Sequence, residues 1–80
     1  MHNRYPFPRL YEAYEDAIGV STPAAIHTLN AAAERWPHQW IVEALRATAL
    51  QQRPSWQYAE WLLRRRERDE PLLPREGAGS

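Results

Sequence analysis

Apolar positions in this chain recur with the period of a helix, and no stretch alternates as a strand would. The first run opens near Pro8, where proline suits an opening helical turn, and carries Leu10, Tyr14, Ala17 and Ile18 on one side. Glu12, Glu15 and Asp16 fall on the other side, and Gly19 stands where a left-handed C-terminal cap belongs. Ser21-Thr22-Pro23 then joins a hydroxyl cap to a proline at a first helical position. Behind it Ile26, Leu29, Ala33 and Trp36 make a second stripe, and the alanines at 31–33 permit a close helix approach. Pro37 stops this helix and starts a third, along which Trp40, Ile41, Ala44, Leu45, Thr48 and Ala49 share a side as far as about Gln52. Residues 51–55 form a turn, and Ser55 caps a fourth helix whose stripe reads Tyr58, Trp61, Leu62 and Arg65. The pattern predicts an all-α fold: a compact bundle of four short helices with tight turns, spanning residues 8–69. Residues 1–7 read as a flexible lead-in. Residues 70–80, with prolines, glycines and no period, read as a disordered tail in which Leu72-Leu73 is a small apolar hook.

Length sharpens this picture. Eighty residues make one domain at most, and so short a chain buries only roughly 60% of its unfolded surface. There is no cysteine, so neither a disulfide nor a thiolate metal site can staple it. Four tryptophans, four tyrosines and one phenylalanine supply the apolar area instead. No apolar run approaches the roughly 20 residues of a membrane span, and no signal peptide opens the chain, so a soluble, cytoplasmic protein is expected.

The formal net charge is zero, but its distribution is uneven. Residues 36–68 hold six arginines against three acids, whereas residues 69–80 hold one arginine against three. All ten basic residues are arginine, whose planar fork suits phosphate. The densest stretch, residues 56–69, reads WQYAEWLLRRRERD.

The order YEDAIG, STPAAIHTL, then WPHQWIVEALRATALQQRPSWQYAEWLL resembles the C-terminal helical domain of DnaD-like replication initiation proteins, found in primosomes and in phage and prophage replication modules. Gly19, Thr22, Pro23, Trp36, Pro37, Trp40, Ile41, Ala44, Leu45, Ala49, Trp56, Tyr58, Leu62 and Leu63 match that pattern, over residues 8 to about 66. Three positions depart from it: Arg66 stands where the family carries tryptophan, Ala59 where isoleucine is common, and Trp61 where a polar residue is usual. The N-terminal winged-helix domain that full-length members use for self-assembly has no counterpart here, so scaffold formation is not implied. The resemblance implies a non-catalytic accessory of DNA replication initiation whose last helix contacts DNA. The alternative is a protein-interaction module that docks a replicative helicase or initiator without touching DNA. An unrelated helical regulator is a third reading.

Each candidate residue has a structural use as well as a functional one. Trp40, Trp56 and Tyr58 are expected in the core; Trp61 stands open between core and a base-stacking surface, where stacking is worth ~1–3 kcal/mol per base. Arg64, Arg65, Arg66 and Arg68 suit phosphate contacts without sequence preference, and equally suit a solvated helix C-terminus. Glu60 lies four residues before Arg64, a spacing that favours an ion pair. Arg53, in the turn, is an extra DNA contact. Glu12, Glu15 and Asp16 offer an acidic face for a helicase or initiator, or for pairing between copies in a weak homo-oligomer. His2, His27 and His38 do not have ligand spacing, and no nucleophile–base pair or phosphate-binding glycine loop occurs, so no metal, cofactor, membrane contact or catalysis is expected.

Overall fold

In a computed structural model of the chain, residues 6–70 are described, and they contain helix without strand. Four helices follow in order: α1 (Pro8–Ala17), α2 (Pro23–Arg35), α3 (His38–Ala49) and α4 (Trp56–Asp69). The expectations for residues 1–5 and 71–80, including His2 and the Leu72-Leu73 hook, lie outside the described residues.

Local chemistry sets the boundaries. The Thr22 hydroxyl accepts the Ala25 N–H at 3.1 Å, and Pro23 opens α2. Trp36 is held extended (φ −123°, ψ 153°), as the residue before a proline must be, so α2 ends at Arg35. Ser55 accepts the Tyr58 N–H at 3.2 Å and opens α4. Helix α3 ends at Ala49, three residues short of the expected limit, where the Gln51 N–H turns back to the Thr48 carbonyl at 3.0 Å. Gly19 has φ 151°, which is positive but far from the αL value near +57°. Gly19, which follows the Ile18 C-cap, therefore does not make the expected left-handed cap.

Helix α3 is central, with α1 on one flank and α4 on the other. Leu10, Leu29, Ile41, Leu45 and Leu63 are fully buried, one or two from each helix. Trp36 is the buried tryptophan, 4% exposed, whereas Trp40 and Trp56 are partly buried against the same cluster. Phe7, placed in the lead-in by its sequence position, packs on that cluster and meets His38 edge-on at 4.8 Å.

Helix α4 turns a different side inward from the one its aromatic stripe suggests. Ala59 and Leu63 are buried at 0% and 1% exposure, while Trp61 is 51% exposed. Tyr58, expected in the core, is half-buried and stacks on Trp61. Among the described residues, Thr48 is the polar residue that is wholly buried: its hydroxyl donates to the Ser55 carbonyl at 3.1 Å and accepts the Ser55 N–H at 3.0 Å, clasping the α3–α4 turn. On the other side of the core, Tyr11 donates to Asn30 Oδ1 and joins α1 to α2.

Candidate nucleic-acid interface

The four arginines of α4 occupy three different environments, because residues 64, 65, 66 and 68 are spread over about 200° around the helix axis. Arg64 donates from Nε and Nη2 to Glu60 Oε2 at 3.2 and 2.7 Å, the pair that the spacing favours. Arg66 lies over the Trp40 ring, 4.3 Å from its centre, and donates to Glu43 Oε1 at 2.5 Å. Its Nε is also 3.7 Å from Glu70. Arg66 therefore bridges α4 to α3. Its guanidinium holds the Glu43 carboxyl below the ordinary carboxylate value, chiefly by that hydrogen bond, with a second from Gln39.

Arg65 and Arg68 differ. Both are exposed, and neither has a carboxylate partner among the described residues. Arg65 lies 5.4 Å from the centre of the Trp61 ring, and Trp61 in turn stacks on Tyr58 at 5.9 Å with 30° between planes. Tyr58, Trp61, Arg65 and Arg68 are spaced by three, four and three residues, so they form one stripe along the outer side of α4. Tyr58, Trp61 and Arg65 belong to the stripe that periodicity found; of that stripe, Trp61 and Arg65 are turned to solvent, Tyr58 is half-buried, and the fourth member, Leu62, packs against the core. Arg53 is exposed in the α3–α4 turn, at the opposite end of α4 from Arg68, roughly 18 Å of helix rise away. It does not join the arginine cluster.

Two contacts across the bundle went unforeseen. Trp36 Nε1 donates to Glu67 Oε1 at 2.9 Å, and Arg35 donates to the same oxygen from Nε at 3.3 Å and Nη2 at 3.2 Å. The Arg35 guanidinium lies 4.7 Å from the centre of the Trp36 ring. Neither this staple nor the Trp40–Arg66–Glu43 clasp has a local signal, since its members stand more than twenty residues apart in the chain.

Glu12, Glu15 and Asp16 are all exposed on α1. Glu15 accepts the Ser21 hydroxyl at 2.5 Å, so of these three acids Glu12 and Asp16 are exposed with no partner among the described residues. His27 and His38 sit on different helices, and no group of three metal-ligating side chains converges among the described residues. No helix of those residues is long and apolar enough to cross a membrane. No family model matches the chain, nor does any curated protein or solved structure.

Proposed function

We propose that this chain is a non-catalytic accessory module of DNA replication initiation that contacts DNA without sequence preference through the outer side of α4. One observation carries the reading. An exposed tryptophan lies between a stacked tyrosine and an arginine, with a second arginine one turn on, and among the described residues no carboxylate pairs with either cation. Exposed indole costs solvation without helping the core, while base stacking and phosphate pairing use both features. The resemblance to DnaD-like C-terminal domains points to the same helix.

The proposed contact set is smaller than the four arginines. Arg65 and Arg68 are the phosphate ligands, Trp61 is the stacking surface, and Arg64 and Arg66 are engaged within the fold. With about two phosphates neutralised, the logarithm of affinity should fall with the logarithm of salt at a slope of roughly −1.4 to −1.8. Fluorescence anisotropy of labelled single-stranded and duplex DNA tests this between about 20 and 200 mM salt. Arg65→Gln/Arg68→Gln should abolish binding, and Arg64→Gln/Arg66→Gln should largely keep it. No binding by the unaltered chain at the lowest salt would sink the reading.

A second reading, docking of a replicative helicase or initiator, draws on a groove of about 300 Å³ between α3 and α4. Trp40, Ala44, Ala47 and Leu62 give it an apolar floor, and Arg65 sits on its rim. Substitution separates the two: Ala47→Gln, which intrudes on the groove and leaves Arg65, Arg68 and Trp61 unchanged, should weaken a partner seated there and keep DNA binding.

A further inference from the structure

Helix α1 carries its charges the wrong way round for its own dipole. Arg9 is its second residue and Asp16 its last but one, so a cation lies at the positive end and an anion at the negative end. There is no acid in the first turn and no base in the last. Both placements are unfavourable within the helix. Neither residue recovers the loss locally, since Arg9, Glu12 and Asp16 make no hydrogen bond or ion pair among the described residues.

These residues share one surface. Arg9, Glu12, Ala13 and Asp16 follow helical spacing and, with Arg46 of α3, line a shallow groove of about 370 Å³ between α1 and α3. The groove holds two cations and two carboxylates, so its charge balances. Ala13 and Val42 provide small apolar ground between them. A balanced patch with opposite signs at its two ends is complementary to itself after a half-turn.

We infer that the α1–α3 groove is a self-association surface, and that its occupant is α1 of a second copy packed antiparallel. A two-fold axis between residues 12 and 13 sets Arg9 beside Asp16 of the other copy, and does so twice, because the same surface serves both partners. Antiparallel packing also brings each Arg9 to the negative end of the facing helix and each Asp16 to its positive end, which reverses the internal penalty. Ala13 and Glu12 flank the axis: Ala13 lets the two backbones approach, and Arg46 of each copy, in the same groove, offsets the two Glu12 carboxylates. The dimer is weak, because a ten-residue helix buries less than the ~1,000 Å² of a stable interface. It leaves α4 free, since α4 lies on the opposite flank of α3.

Charge reversal tests this inference without endangering the fold. Arg9→Glu and Asp16→Arg each change an exposed side chain, and each improves the match to the helix dipole. Sedimentation equilibrium from about 20 μM to about 2 mM, at about 20 and about 500 mM salt, measures the association. The unaltered chain should dimerise at low salt and dissociate at high salt. Each single variant should weaken self-association at least about tenfold, because like charges now face each other. A one-to-one mixture of the two variants should regain the dimer, since an all-acidic stripe meets a basic one. The double variant Arg9→Glu/Asp16→Arg should also dimerise. A monomer at 2 mM and low salt, a dimer that both single variants retain, or a mixture that stays monomeric would each overturn it.

Discussion

Glu67→Ala is the most informative single change in this fold, because one carboxylate oxygen ties α4 to the end of α2. Glu67 Oε1 receives the Trp36 indole N–H at 2.9 Å and two Arg35 donors at 3.2 and 3.3 Å. Trp36 is 4% exposed, so removing its acceptor leaves a donor with little access to water. A hydrogen bond to a charged group contributes about 1.5–3 kcal/mol, and the partly solvated carboxylate favours the lower half of that range. The Arg35–Glu67 pair, at 47% and 34% side-chain exposure, adds at most about 1 kcal/mol. The expected loss is therefore about 1.5–3 kcal/mol. For a domain with a urea dependence near 1 kcal/mol per molar, that lowers the midpoint by roughly 1.5–3 M, read by far-UV circular dichroism. Glu67→Gln keeps an acceptor for the indole and should lose only about half as much. The decisive arm is a double-mutant cycle with Trp36→Phe, which keeps an aromatic ring and removes the donor. Coupling of about 1–2 kcal/mol between positions 36 and 67 is expected. Costs that simply add, within about 0.3 kcal/mol, would refute the claim that this bond holds α4 in place.

Four further outcomes follow from the same reasoning. Thr48→Val strips the Ser55 N–H of its buried partner and should cost about 1–3 kcal/mol in chemical denaturation, with amide exchange in the 50–55 turn rising first. Leu45→Ala, at a site with 0% exposure on the central helix, should cost about 2–5 kcal/mol; against a total of roughly 4–12 kcal/mol for this length, its thermal transition should fall steeply or vanish. Gly19→Ala should cost about 1–3 kcal/mol through backbone strain alone, because a Cβ there meets no atom within 4 Å, and a thermal melt reads it. Glu43 is held below its ordinary carboxylate value by Arg66, so the stability it adds is complete above that ordinary value and fades as pH falls through the depressed one. Glu43→Gln should therefore flatten the acid limb of stability measured against pH, and an unchanged limb would refute the assignment.

Much of the fold is legible in the residues because its instructions are local. Thr22 and Ser55 accept N–H groups three residues on, and Pro23 and Pro37 restrict the residues beside them, so four helices and their starts follow from short segments. The Glu60–Arg64 pair is equally local. The candidate site was only half legible. Periodicity located Tyr58, Trp61 and Arg65 on one stripe, yet it could not say which way that stripe points. A second stripe through Trp56, Ala59, Leu63 and Arg66 overlaps it on the same helix. Tertiary packing chose the second: Ala59 and Leu63 are buried at 0% and 1% exposure, while Trp61 on the first stripe is 51% exposed. That choice sends Trp61, Arg65 and Arg68 to the surface and turns Arg66 onto Trp40 and Glu43, which stand 26 and 23 positions earlier in the chain. Caps and prolines act within a turn of the chain, so sequence alone determined the helices. Which arginines are spent inside the fold and which face outward depends on residues far apart along the chain, and only the packed bundle decided that.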